Sequence, residues 1–153
     1  MKVLKLISKI ICGIIIFVFV AVTALYIIGA VANDISAKAV LNEIKEIPLP
    51  EQTEIIDEIS VAGKLTGNGN GVQCFGAIWI KSDLPLWQLE AYYSAYRESE
   101  FDFIVKEQPT QEISVIEHGS YAFKREKPNA ACYMVYSWGS GDDGLGYFDL
   151  RGH

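Results

Sequence analysis

One uninterrupted stretch constrains this chain more than any other feature. Residues 10–33 contain no charged side chain and are rich in Ile, Val and Phe. As an α-helix that rises about 1.5 Å per residue they would extend over about 36 Å, which exceeds the thickness of a bilayer's hydrocarbon core, about 30 Å. Residues this apolar partition strongly into lipid. The sequence therefore predicts a transmembrane helix over residues 10–33.

The lysines on either side of this helix predict its orientation. Three lysines precede the helix without any acidic residue among them, whereas two follow it in the company of acidic residues. Those lysines are Lys2, Lys5, Lys9, Lys38 and Lys45. Because Lys and Arg near the ends of a span favour the cytoplasmic side, we predict a cytoplasmic basic tail over residues 1–9. The remainder of the chain is then extracytoplasmic, in the cell envelope.

A signal peptide is the alternative interpretation of the same segment. Ala30-Val31-Ala32 has the small residues that a signal peptidase recognises, and cleavage after Ala32 would release a secreted domain. The apolar part of a signal peptide normally covers about 7–15 residues, however, and this one is longer. Its length favours an uncleaved, single-pass signal anchor.

The charge of the exterior part limits its partners. Residues 34–153 contain ten Lys and Arg against nineteen Asp and Glu, which gives a net charge of −9. A general nucleic-acid binder would show a clustered basic excess instead, so we expect no nucleic-acid partner. The same charge disfavours electrostatic docking onto an anionic surface. The expected partners are the membrane, through the helix, and another envelope protein, a peptide or a glycan.

The segment directly after the span predicts a second helical stretch. Its apolar residues recur at the spacing of one helix face, and Pro48 and Pro50 then end the helix. The residues of that stripe are Ala37, Val40, Leu41, Ile44 and Ile47. We interpret residues 34–50 as a helical stalk and proline linker, and residues 51–153 as the extracytoplasmic domain.

The pattern of the exterior domain predicts an α+β fold. One amphipathic helix, beginning around Pro85 and running to about residue 98, is expected to pack on a mainly antiparallel sheet in the order β-β-α-β-β-β-β. The strands are predicted at residues 54–64, 72–81, 101–107, 112–117, 121–125 and 130–138, with a further short strand at 147–150. The second strand is apolar on both faces, which is typical of a central strand.

A glycine-rich run between the first two predicted strands indicates a hairpin turn. It consists of Gly67, Asn68, Gly69, Asn70 and Gly71. Asn-Gly pairs readily adopt the positive φ angles of hairpin turns. A phosphate-binding loop would instead open a helix and end in Lys-Ser or Lys-Thr, and this run is followed by a strand.

The remaining residues offer few candidates for chemistry. Cys74 and Cys132 are the cysteines outside the span and can form a disulfide in an oxidising compartment, although both also suit a buried apolar position. The two histidines and the acidic residues show no zinc or calcium spacing, and no G-x-S-x-G nucleophile motif occurs. We therefore predict no catalytic residues, no metal and no cofactor.

Aromatic residues are the last candidates for a binding surface. Trp87 and Trp138 are the tryptophans expected to be partly exposed, and they can form a platform on which a sugar ring or a peptide stacks. The alternative is that most of the aromatic side chains fill the core.

Several short motifs resemble an uncharacterised family of small single-pass membrane proteins from Gram-positive, largely anaerobic bacteria. The motifs are Ile47-Pro48-Leu49-Pro50, the run from Gly63 to Gly71 that reads GKLTGNGNG, Phe75-Gly76-Ala77, Tyr92-Tyr93 and the ending Arg151-Gly152-His153. The resemblance implies a membrane location and no known activity. The expected function is thus a binding or accessory domain in the cell envelope, with a small extracytoplasmic hydrolase as the alternative.

Overall fold

The computed structural model describes residues 2–96, 102–141 and 144–152. The elements in chain order are α1 (Lys2–Glu46), β1 (Thr53–Gly63), β2 (Gln73–Ser82), α2 (Leu86–Ser94), β3 (Ile104–Glu107), β4 (Cys132–Ser140) and two 3₁₀ turns, Leu145–Phe148 and Leu150–Gly152. We call residues 144–152 the C-terminal tail. Helix α2 ends at Ser94 and β3 begins at Ile104, so both elements are shorter than the predicted helix to about residue 98 and strand from residue 101. Residues 98 and 101 themselves lie outside the described residues.

Helix α1 is continuous but has two parts with different surroundings. Its first part is long and apolar enough to cross a membrane: the most apolar 18 residues have a mean hydropathy of 2.9, and none of them is buried. Its second part, with Ile47 directly after it, buries the stripe that the sequence predicts, Ala37, Val40, Leu41, Ile44 and Ile47. The predicted stalk is therefore packed into the core of the domain, because its apolar face lies against the sheet.

The domain is α+β, as predicted. In the part of the chain that the structure describes, four strands form one antiparallel sheet in the order β1-β2-β4-β3, with β2 inside the sheet and buried on both faces. The second part of α1 and helix α2 cover one face, which we call the helix face. Residues 108–131 cover the opposite face, which we call the loop face.

The two short strands predicted at 112–117 and 121–125 are not formed. Within the described residues, a single bridge between Glu112 and Ala122 is all the pairing that this region shows. The side-chain amide of Gln108 donates to the carbonyls of Thr110 and Glu112 at 2.7 and 2.6 Å, which commits that backbone to a loop. The apolar residues responsible for the strand-like pattern instead cover the loop face, where Phe123 stacks on Trp79.

Helix α1 lies unusually close to the sheet at one glycine. A Cβ atom added to Gly76 would come within 2.5 Å of the backbone nitrogen of Leu41 and 2.8 Å of its Cα. Only glycine leaves room for the helix backbone at this distance. Gly76 on the central strand thus determines how tightly the second part of α1 packs.

Candidate functional site

The C-terminal tail folds back onto α1 at the point where the exposed part of the helix ends. The predicted strand at 147–150 is replaced by two 3₁₀ turns, because its polar residues bind the helix instead of a neighbouring strand. Four side chains, which we call the clasp, make this contact. They are Asn33, Asp34, Asp149 and Arg151.

Arg151 is the centre of the clasp. Its Nε and Nη2 donate to the two carboxylate oxygens of Asp149 at 2.9 and 2.7 Å, a bidentate pair. Its Nη1 donates to Asp34 Oδ1 at 2.8 Å, and its Nη2 also donates to the carbonyl of Ala30 at 2.9 Å. Asn33 Nδ2 completes the contact by donating to Asp149 Oδ2 at 3.0 Å. One guanidinium therefore joins the tail to two positions of α1, Ala30 and Asp34, and Asn33 adds a third contact through Asp149.

Asp149 is an ionised carboxylate held inside the protein. Its side chain is only 1% exposed, whereas that of Arg151 is 41% exposed. Burial by itself would raise the pKa of Asp149, but the hydrogen bonds from Arg151 and Asn33 outweigh it and lower the pKa to about 2. Arg151 in turn has a raised pKa because it donates to Asp149. The pair is charge-neutral and fixed at neutral pH, so it cannot act as a general acid or base there.

Asp149 predicts a loss of stability in acid. Its pKa is about 2 in the folded chain against an ordinary value of 3.8, so its contribution is present above pH 3.8 and is lost as the pH falls towards 2. The expected loss is up to about 2 kcal/mol in the free energy of unfolding. Chemical denaturation of the full chain in detergent micelles at several pH values measures it. Asp149→Asn, which cannot titrate, should remove this part of the slope; an unchanged slope would contradict the assignment.

The tail also binds the loop between β1 and β2, residues 64–72, which we call the glycine loop. The backbone nitrogens of Lys64 and Gly71 donate to the carbonyls of Arg151 and Gly152, both at 2.8 Å. A cavity of about 240 Å³ lies beside these contacts. Its walls come from Asn33, Asn70, Gly71, Val72, Ser140, Gly141, Gly146, Tyr147, Asp149 and Gly152. Glycine loop, helix and tail are thus brought together at one end of the domain.

The glycine run connects two antiparallel strands, as predicted, but by a longer loop than a two-residue hairpin. The connection between β1 and β2 covers residues 64–72, and Gly67 and Gly71 have φ angles of +67° and +134°. Gly67 is held on both sides, because its nitrogen donates to Glu117 Oε2 at 2.8 Å and its carbonyl lies 2.7 Å from His118 Nε2. The histidine and the acidic residue therefore support the loop.

An open cleft of about 590 Å³ lies next to this loop on the loop face. Its walls include Thr66, Gln73, Glu117, Tyr136 and Trp138, and we call it the cleft. Trp138 is half-buried, with its ring 4.8 Å from the ring of Phe75. The cleft thus combines one partly exposed aromatic face with carboxylate, amide and hydroxyl groups.

Trp87 and Trp138 do not form a common platform. Trp87 is 65% exposed on α2, whose neighbouring side chains pack on the helix face. Trp138 packs with the residues of the loop face. The sheet lies between the two rings, so each can contact only a ligand of its own.

The two exterior cysteines are too far apart for a disulfide, so the alternative of two buried free thiols holds. In the pairing of β2 with β4, Cys74 lies opposite Gly139, whereas Cys132 lies opposite Lys81, seven residues farther along β2. At about 3.3 Å per residue this is about 23 Å, and a disulfide needs Cα atoms within about 7 Å. The two thiols also belong to opposite faces of the sheet. Both cysteines are free and buried.

The thiol of Cys74 is chemically quiet. Burial raises its pKa to about 11, and its Sγ lies 3.6 Å from the carbonyl of Asn33. A buried neutral thiol is not a nucleophile. Within residues 2–96, 102–141 and 144–152, no cluster of three or more His, Cys, Asp or Glu side chains could hold a metal ion.

The positions of the cysteines predict an unchanged mass and slow alkylation. We expect the intact mass of the folded full chain to equal that of the fully reduced chain. Adding a reductant should leave its unfolding midpoint unchanged. Maleimide should modify Cys74 and Cys132 only after denaturation, because both side chains are buried. In the denatured Cys74→Ala variant, maleimide should add the same mass to each remaining thiol as it does in the native sequence. A mass two hydrogens lower that reductant restores would contradict the register.

Sequence reasoning missed the clasp, although two signals for it exist. Asn33 and Asp34 are the first polar pair after the apolar run, and Asp149 and Arg151 are an opposite-charge pair two residues apart at the end of the chain. Nothing in the sequence brings these pairs together across more than 110 positions. We compared the chain with family models, with curated proteins and with solved structures, and none of them matches it.

Proposed function

We propose that this protein is a single-pass membrane protein whose N-terminus is cytoplasmic and whose domain is a non-enzymatic binding or accessory module in the cell envelope. One observation carries the proposal. Helix α1 has an unburied apolar first part and a second part that belongs to the domain core. Such a helix couples the domain directly to the membrane without a flexible linker.

The charges support the orientation. Lys5 and Lys9 lie in the first turns of α1 without an acidic neighbour. On the other side of the apolar part, Lys45 pairs with Glu58 at 2.6 Å and Arg151 pairs with two carboxylates. Three lysines, Lys2, Lys5 and Lys9, precede the apolar part and two, Lys38 and Lys45, follow it closely, so the excess of basic residues lies at the N-terminal end, which the positive-inside rule assigns to the cytoplasm.

The tail favours an anchor over a cleaved signal peptide. Gly29 is buried, and an added Cβ would meet the carbonyl of Leu145 at 2.5 Å. Arg151 binds the carbonyl of Ala30. Both contacts lie before the alternative cleavage point after Ala32, so cleavage there would remove part of the surface on which the tail packs. This agrees with the membrane location that the family resemblance implies.

The cleft is the surface that best suits a ligand. A partly exposed tryptophan ring beside a carboxylate and an amide is suited to a sugar ring or to a peptide side chain. The hydrolase alternative gains no support from the groups described: Asp149 is neutralised by Arg151, and the Cys74 thiol has a pKa of about 11. We therefore propose binding of a peptide or a glycan through Trp138.

The two tryptophans provide a matched test of this proposal. The full chain in lipid nanodiscs would be applied to oligosaccharide and peptide arrays as the native protein, as Trp138→Ala and as Trp87→Ala. We expect Trp138→Ala to lose the signals that the native chain gives and Trp87→Ala to keep them. Binding that survives Trp138→Ala, in a variant whose far-UV circular dichroism is native, would exclude the cleft as the ligand site.

A further inference from the structure

Four apolar side chains of the C-terminal tail are exposed at the end of the domain nearest the span. They are Leu145, Tyr147, Phe148 and Leu150, and we call them the apolar foot. Tyr147 and Leu150 are the most exposed, at 76% and 64%. A water-soluble surface seldom concentrates apolar side chains in this way without a partner.

The foot is continuous with the apolar surface of the span. The ring of Phe148 makes an edge-to-face contact with that of Tyr26, with the centroids 6.5 Å apart. The backbone of the first 3₁₀ turn lies directly on Gly29. The clasp then fixes the tail one turn farther along α1, through Ala30 and Asp34. The foot therefore has a defined height along the helix.

That height coincides with the outer boundary of the hydrocarbon core. Lys9 is the last charged residue before the span. About 20 residues at about 1.5 Å each cross a core of about 30 Å, which places the outer boundary near Gly29. Tyr26 and Phe148 then lie in the interfacial layer, where aromatic rings of membrane proteins concentrate.

We propose that the apolar foot inserts into the interfacial layer of the outer leaflet and seats the domain on the bilayer. The inference rests on the proposed orientation of α1 and adds a second, peripheral membrane contact to it. The contact is made by apolar side chains, so it needs no anionic lipid, which the net charge of −9 on residues 34–153 would repel. The loop between β1 and β2, whose Gly71 nitrogen donates to the carbonyl of Gly152 in the tail, then lies close to the lipid surface.

Depth-dependent quenching tests the foot. Tyr147→Cys and, as an independent second variant, Leu150→Cys would be labelled with an environment-sensitive fluorophore in full chains reconstituted into phosphatidylcholine vesicles. These variants and their control also carry Cys12→Ser, because the native Cys12 thiol is exposed and would take the label. Trp87→Cys is the matched control, since α2 contacts Pro48 beyond the far end of α1. Lipids that carry a nitroxide in the headgroup or along the acyl chain are the quenchers. We expect loss of fluorescence at positions 147 and 150 with the headgroup nitroxide, and none at position 87.

A label on Cys12, inside the span, separates this inference from the anchor itself. Quenching of Cys12 by the acyl-chain nitroxide, with positions 147 and 150 no more quenched than position 87, would overturn the foot and leave the anchor standing. No quenching at Cys12 would overturn the anchor and the foot together. Quenching at Cys12 and at both foot positions supports the proposal.

Discussion

Replacing Gly76 with alanine is expected to lower the free energy of unfolding by about 3 kcal/mol, at the upper end of what overpacking costs. The added methyl group would meet the backbone of Leu41 and Val40, and a helix backbone cannot turn aside as a flexible side chain can. Either α1 moves away from the sheet or β2 bends. Denaturation of the full chain in detergent micelles, followed through far-UV circular dichroism and tryptophan fluorescence, measures the effect.

Gly69→Ala is the matched control for Gly76→Ala. A Cβ at Gly69 meets nothing within 4 Å, so the same chemical change should alter stability by no more than about 0.5 kcal/mol. Equal stabilities for the two variants would mean that the second part of α1 does not pack on β2, and the domain would then have a different core.

Replacing Arg151 with alanine is expected to cost about 3 kcal/mol, at the lower end of the range for breaking a buried ion pair, because Arg151 is partly exposed. Most of this cost arises because Asp149 is left buried without its counter-charge. The tail should then detach from α1. Amide hydrogen exchange in residues 145–152 should become much faster, whereas exchange in the sheet should remain slow. Denaturation and exchange measurements on the same sample give both quantities.

Two further variants make this prediction specific. Arg125→Ala removes an equal charge from an exposed side chain and should change stability by no more than about 0.5 kcal/mol. Adding Asp149→Asn to Arg151→Ala should recover part of the loss, because no uncompensated carboxylate remains. If the loss of unfolding free energy in the double variant equals the sum of the losses in Asp149→Asn and Arg151→Ala alone, the two side chains do not act as a pair.

Local patterns predicted much of this fold. The stripe from Ala37 to Ile47 is buried as its spacing indicates, and β1 and β2 begin and end within one residue of their predicted positions. These successes depend on periodicity, which acts over a few neighbouring residues. The central position of β2 could also be predicted, because a strand that is apolar on both faces needs other elements packed on both sides of the sheet.

Patterns of the same kind misled where tertiary contacts decide the structure. Ile113 and Phe123 look like strand residues, yet they serve as apolar cover for the loop face while Gln108 holds the backbone in a loop. The sequence left open whether Cys74 and Cys132 form a disulfide, and the register of β2 and β4 separates them. Register and sheet order are determined by contacts between distant segments, and local sequence patterns do not show which distant segments meet.

The clasp illustrates the same limit at the candidate site. Asp149, within the short strand predicted at 147–150, has the sequence pattern of an ordinary surface carboxylate, and its burial becomes apparent only when Arg151 and Asn33 surround it. The stalk was interpreted as separate from the domain for a similar reason. Its apolar stripe indicates that this face of the helix is covered, but the pattern does not show that the sheet covers it.

The central claim is that one uncleaved helix both spans the membrane and forms part of the exterior domain. The most direct test is the mass of the Trp87→Cys chain after a membrane-impermeant maleimide is added to intact cells. Cys12 lies in the span and the other native cysteines are buried, so position 87 should be the one that reacts. We predict a full-length chain that carries one label. A labelled chain that begins at Asn33, or labelling only after the cells are permeabilised, would contradict the account.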